Sequence, residues 1–146
     1  MFKGLSGKSA IVTGGATLIG AGLVQAMHAA GVKVTLADID VERGQAVAEG
    51  CGDGVWFCHT DITDDRQVQA CVDQAAQRHG GVHFLVNLAC SYVDDGIKAS
   101  RADWLTALDV NVASAAMMLK AVHPHMRKAG GGAVVNFTSI SSKVAQ

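Results

Sequence analysis

A fixed alternation constrains this chain more than any other feature. Short runs that are apolar on both faces take turns with longer stretches that are apolar on one face only. The short runs are residues 9–13 (SAIVT), 32–38 (VKVTLAD), 55–59 (VWFCH), 82–88 (VHFLVNL) and 133–138 (AVVNFT). Strands of that kind belong in a parallel sheet, because each crossover lays a helix over a sheet face and buries both sides. Between the runs, Ile19, Leu23, Met27 and Ala30 recur at helical spacing, and Gly31 stops that helix. A second helix is predicted over 41–49, closed by Gly50. Thr63 is placed to cap a third, with Asp64 and Asp65 in its first turn and Val68, Val72, Ala75 and Ala76 as its buried stripe. Gly80 and Gly81 end it. Ser100 and Asp103 form a start resembling a capping box for a long helix over 102–126. Its inward face is expected to be Trp104, Leu108, Val112, Ala115 and Leu119, with Pro124 and the glycines at 130–132 ending it. The order predicts one α/β domain over residues 1–146, a doubly wound parallel sheet of five strands in the order 3-2-1-4-5. No helix follows the fifth run, so one sheet face and one edge are expected to lack cover. Further C-terminal strands are expected to be missing.

Composition narrows the function. Twelve basic against thirteen acidic side chains give a formal charge of −1, and no basic run occurs. That balance argues against nucleic acid as a partner. The longest apolar runs fall far short of the ~20 residues needed to span a bilayer, so no membrane partner is expected. The N-terminal MFKGLSGKSAIVTGG lacks the continuous apolar core of a signal peptide, and a cytoplasmic location is expected. Cys51, Cys58, Cys71 and Cys90 form no C-x-x-C pair and fit no zinc spacing. They read as reduced, small and partly buried, with no metal role.

The first strand runs into TGGATLIG, residues 13–20, and then a helix. A strand, a glycine turn and a helix start make a pyrophosphate site. Backbone N–H groups point outward, the helix dipole favours negative charge, and missing side chains permit close approach. Gly14, Thr17, Leu18, Ile19 and Gly20 are therefore candidate cofactor contacts, in a turn of the Rossmann type. Asp38 ends the second strand, 18 residues after Gly20. The dinucleotide pattern expects an acid there to accept from the ribose hydroxyls. A carboxylate at that position repels a 2′-phosphate, and no Arg or Lys lies within 13–20 to offset it, so NAD is favoured over NADP. Ile39 is grouped with Asp38 on the cofactor path, and Asp40 is the spare acid facing water. After the third strand, Asp61 is placed to meet an adenine amino group or simply to form a turn.

Taken together, these residues resemble the short-chain dehydrogenase/reductase family over the whole chain. TGGATLIG is similar to the family's T-G-x-x-x-G-x-G, with Leu18 where the middle glycine is usual. The resemblance implies that Leu18 narrows the space beside the pyrophosphate. Asp61-Ile62 matches the acid–hydrophobe pair set against adenine. Asn87-Leu-Ala-Cys90 falls where the family carries N-N-A-G; Asn87 and Ala89 match, Leu88 and Cys90 do not. Asn111, in Asp109-Val-Asn-Val112, matches the active-site asparagine of the long helix. Ser139 matches the catalytic serine after the fifth strand, with Thr138, Ser141 and Ser142 as alternatives if the register slips.

The resemblance further implies hydride transfer between NAD and a secondary alcohol or ketone, a small-molecule substrate. Ser139 would hydrogen-bond the substrate oxygen, and Asn111 would hold a water leading toward a lysine. In the family a Tyr-x-x-x-Lys pair comes after the serine, on the next helix. The only tyrosine here is Tyr92, and position 96 is glycine. The chain as written is therefore expected to lack the acid/base tyrosine and to be nearly inactive. One alternative is a truncated nucleotide-binding fragment. Another is a different Rossmann-type protein such as a methyltransferase, which shares the glycine turn and the acid but does not need Asn111 and Ser139 in this register. The resemblance also implies a homodimer or homotetramer at full length, through the long helix. Trp104, Met117 and Met118 are candidates for that face, and Tyr92, Val93 and Ile97 for the substrate pocket.

Overall fold

The five short apolar runs all become strands. In the computed structural model, which describes residues 4–93 and 95–139, they form one parallel sheet in the order β3-β2-β1-β4-β5. The strands are β1 (Ser9–Thr13), β2 (Lys33–Asp38), β3 (Val55–His59), β4 (Phe84–Asn87) and β5 (Ala133–Asn136). The helices are α1 (Leu18–Ala29), α2 (Val41–Cys51), α3 (Asp65–His79), α4 (Arg101–Leu108) and α5 (Ser114–Lys128). Alternate residues of each strand serve opposite cores. Ala10, Val12, Val34, Leu36 and Val86 pack with α1 and α2, whereas Ile11, Ala37 and Leu85 pack with α3 and α5. All of these are at most 4 % exposed.

Cover thins toward β5. Val134 packs into the core on the α5 side, but Val135, on the opposite face, is 51 % exposed.

Several helix readings are corrected. Asp64, not Thr63, caps α3, accepting from Arg66 N and Gln67 N. Thr63 instead donates its N–H and hydroxyl to Asp61 Oδ1. α2 runs on to Cys51 and ends at Gly52, whose φ of 73° requires glycine. The inward face of α1 is Gly20 and Val24, with Leu23 and Met27 beside them; Ile19 is exposed. The long helix is not regular. A π turn, Asp109–Ala113, joins α4 to α5, and Pro124 lies inside α5 instead of ending it. The extra residue in a π turn rotates the remainder of the helix, so the simple i, i+4 row picks the wrong face. Trp104, Leu108, Val112 and Leu119 are exposed, while Ala107, Ser114, Met118, Ala121, Val122 and Met126 are buried. Ala115 is half-buried.

The continuous helical stretch Arg101–Lys128 reaches a mean hydropathy of 1.4 over an 18-residue window, long and apolar enough to cross a membrane by length and composition. Within it, α5 packs on β4 and α3 through its buried Met118, Val122 and Met126, whereas most of the apolar window is not buried.

This face assignment has a direct test. Met118→Ala should cost about 2–5 kcal/mol in urea unfolding, as expected for a cavity in a packed core. Leu119→Ala, one residue away and 42 % exposed, should cost less than about 1 kcal/mol.

Candidate functional site

The strand register brings five polar residues to one edge of the sheet. Thr13 pairs with Asn87, Asn87 with Asn136, and Asp38 with His59 at the strands' carboxyl ends. β1 connects outward to β2 and the chain later returns to β4 on its other side, so the crevice between β1 and β4 is the topological switch point where open α/β sheets bind ligands.

Thr13 organises that point. Its hydroxyl accepts from Leu88 N at 3.2 Å and Ala89 N at 3.3 Å and donates to Val86 O at 3.4 Å. The glycine turn then passes so close to the segment after β4 that a Cβ on Gly14 would lie 2.7 Å from Ala89 Cα and N. Gly14 also sits at φ 71°, in the left-handed region. Gly20, at the start of α1, lies against the Gly14 carbonyl with no room for a side chain. Thr17 caps α1, its hydroxyl oxygen accepting from Gly20 N at 3.2 Å and donating to Gly14 O at 2.8 Å. No acidic side chain stands in the first turn of α1 itself. Leu18, the first helical residue, is 93 % exposed and closes off nothing within the fold. Ile19 and Ile39 are likewise exposed on this rim.

Asp38 is the buried acid of the site. Its Oδ2 accepts from Ala16 N at 2.9 Å and its Oδ1 from Asp40 N at 3.0 Å, which ties the glycine turn to the end of β2. Asp40 is the N-cap of α2, accepting from Arg43 N at 3.0 Å, and so has a structural task that the sequence reading did not assign. Thr60 N donates to Asp38 O at 3.0 Å, joining the β3 end to the same corner. Asp61 lies just beyond. Its Oδ1 accepts from Thr63, its N–H donates to Gln67 Oε1 at 3.0 Å, and Ile62 is buried in the core beside α3.

The other half of the edge carries Asn87, Ala89, Asn111 and Ser139. Asn87 is 8 % exposed and its Nδ2 donates to Asn136 Oδ1 at 2.9 Å and to Ala115 O at 3.3 Å. One side chain thereby links β4, β5 and the start of α5. Leu88, which replaces the family's second asparagine, is buried against the α1 face. Asn111 stands in the π turn and grips the segment after β4 with both ends of its amide. Its Oδ1 accepts from Ser91 N at 2.7 Å, and its Nδ2 donates to Ser91 O at 2.9 Å. Ser139 lies three residues beyond β5 at the same edge and is exposed, as is Thr138. Ser141 and Ser142 lie outside the described residues.

The structure thus gathers two groups: the turn with Asp38, and Asn87 with the Asn111-held segment. Sequence reasoning missed Thr13 as a hub and Asn136 as the partner of Asn87. The signal for Asn136 was present, a lone amide inside the apolar run VVNF.

Comparison with known proteins agrees with this geometry. The family model described as short chain dehydrogenase matches residues 8–146. A 3-alpha-(or 20-beta)-hydroxysteroid dehydrogenase of Mycobacterium bovis is 39 % identical over 140 residues, covering 93 % of this chain and 53 % of that protein. A D-threitol dehydrogenase of Mycolicibacterium smegmatis is 35 % identical, covering 97 % of this chain and 56 % of the relative. The crystal structure of a 3-ketoacyl-(acyl-carrier-protein) reductase from Brucella melitensis complexed with NADH superposes with a TM-score of 0.89 at 26 % identity, over 95 % of this chain and 59 % of that one. The chain spans about half the length of the curated relatives it matches.

Two glycine substitutions separate close approach from mere flexibility. Gly14→Ala should cost about 2 kcal/mol or more, from left-handed strain of about 1–2 kcal/mol plus the Ala89 clash. Gly22→Ala, inside α1 with nothing within 4 Å of the added carbon, should stabilise by about 0.5–1 kcal/mol. Urea unfolding of both variants reads the contrast.

Proposed function

The chain belongs to the short-chain dehydrogenase family, and on that premise we propose that it serves NAD-dependent hydride transfer between a secondary alcohol and the matching ketone of a small molecule. The observation that carries this reading is the corner built by Gly14, Ala16, Thr17 and Asp38. It offers helix-end N–H groups for a pyrophosphate, and a buried carboxylate, already held by two backbone N–H groups, for a ribose. The relative solved with NADH supports a nicotinamide dinucleotide at this corner. Such a cofactor, when bound, supplies the hydride chemistry; the protein orients the partners and manages the proton. Gly14, Thr17, Leu18, Ile19 and Gly20 would line the pyrophosphate side. Asp38 and Ile39 would hold the ribose side, and Asp61 and Ile62 the adenine side.

Asp38 favours NAD over NADP, because a 2′-phosphate placed beside it meets like charge. Asn87 and Ala89 shape the floor between the two halves of the edge. Asn111 keeps the segment from Ser91 in place, and Ser139 would hydrogen-bond the substrate oxygen.

A second reading is a nucleotide-binding unit without turnover. Tyr92 is 88 % exposed and the position four residues on is Gly96, so Tyr92 does not itself form the family's Tyr-x-x-x-Lys pair. The exposed apolar row of Trp104, Leu105, Leu108 and Val112 supports self-association through the long helix, as a homodimer or homotetramer. Met118, fully buried, takes no part in that face.

Fluorescence titration tests the cofactor reading. NADH should bind at least about tenfold more tightly than NADPH, the equivalent of about 1.4 kcal/mol. Asp38→Asn, which removes the charge and keeps an acceptor oxygen, should shift that ratio toward NADPH. Equal or tighter NADPH binding by the unaltered chain would reject the assignment. Assay with NAD and a panel of secondary alcohols then separates the two readings.

A further inference from the structure

At the amino ends of β1 and β4, the far end of the sheet from the candidate site, a histidine ring takes a backbone hydrogen bond. His83, the residue before β4, accepts from Ser9 N at 3.2 Å through Nδ1. The Ser9 hydroxyl lies 3.0 Å from the same nitrogen and donates to Gly81 O. His83 N in turn donates to Ser9 O at 3.1 Å. Ser9 is 2 % exposed and His83 is half-buried. A ring nitrogen that accepts the Ser9 amide must carry a lone pair. The contact is therefore that of a neutral ring with its proton on Nε2.

We propose that Ser9 and His83 form an acid-released clasp, which a neutral ring keeps closed between β1 and β4 and a proton on Nδ1 opens. A protonated Nδ1 is a donor, and it would point at the Ser9 N–H, which is also a donor. The acceptor within its reach is the Ser9 hydroxyl oxygen at 3.0 Å. Charging the ring thus exchanges the amide bond for a hydroxyl bond and leaves a buried backbone N–H without its partner, which is costly. The surroundings resist that charge as well. The ionisable side chains on the elements that meet here are Lys8 before β1, Lys33 at the start of β2, Arg78 and His79 at the end of α3, and Arg127 and Lys128 at the end of α5. All are basic. Among the described residues no carboxylate hydrogen-bonds the ring. Burial, with the Lys8 charge beside it, pulls the His83 ring below its ordinary range. In the open form the ring takes its proton near the ordinary value of about 6.5, and in the closed form only at lower pH. Above that value the clasp keeps its full hold. As the pH falls below it the open form binds the proton first, and hold is lost until the closed ring titrates too.

The test uses the whole 146-residue chain, isotope-labelled for NMR. Long-range proton–nitrogen spectra read the tautomer and titration of His83, and amide hydrogen exchange over about pH 5–8 reads the opening. The ring should carry its proton on Nε2 at neutral pH and titrate below about 6.5, with the Ser9 amide shift following the same midpoint. Below that value the protection of the Ser9 amide should fall by up to about tenfold per pH unit relative to that of Val12, further along β1. His83→Asn keeps an acceptor for the Ser9 amide but does not titrate, so the relative protection should lose its pH dependence. Ser9→Ala removes the oxygen open to the charged ring, so the His83 midpoint should drop further. His79, which burial and the nearby Arg78 also hold down, titrates separately and should leave the Ser9 amide unmoved. A ring protonated on Nδ1 at neutral pH, a midpoint at or above about 6.5, or the same pH dependence of Ser9 protection in the unaltered chain and in His83→Asn would each overturn the proposal. The tautomer and midpoint of the unaltered chain decide the matter even if a variant fails to fold.

Discussion

One buried carboxylate holds the working edge of this sheet in shape. Asp38 stands at the end of β2, 9 % exposed, and spends its two oxygens on backbone N–H groups from opposite directions, Ala16 in the glycine turn and Asp40 at the head of α2. A carboxylate removed from water needs such donors, because an uncompensated buried charge costs far more than the bonds return. The starts of α1 and α2 flank this corner, and helix N-termini favour negative charge nearby. The turn cannot drift without breaking a charge-assisted bond, so the open N–H groups of α1 are set before any ligand arrives.

The other strands complete the edge by the same means, polar side chains spent on backbone. Thr13 fixes the path after β4, and Asn87 binds β4 to β5 and to α5. Asn111 fixes Ser91 from the π turn. Each sits at a place where a strand ends and the next element has no sheet ladder to guide it. π turns interrupt helices most often at functional sites. Here the interruption is what lets Asn111 reach the segment after β4.

The sheet was legible because its central strands, β1, β2 and β4, are buried on both faces and several of its glycines fall where the chain turns at positive φ or approaches another segment closely. Gly14 shows this best, since both reasons apply there. Helix faces were legible only where the period stayed regular. Val68, Val72 and Ala75 lie inward as their spacing says, whereas the row from Trp104 to Leu119 fails because a π turn has no single-sequence signature. Caps were half legible. Ser100 with Asp103 is a true capping box, but three adjacent polar residues at 63–65 gave no way to choose Asp64 over Thr63.

The most direct test is a crystal structure of the chain grown with NADH. The account predicts ribose hydroxyls on Asp38, the pyrophosphate over the N-terminus of α1 between Gly14 and Gly20, and the Ala16–Asp38 bond unchanged from the free protein. A nucleotide bound elsewhere, or one at this edge that displaces Asp38 from Ala16, would contradict it.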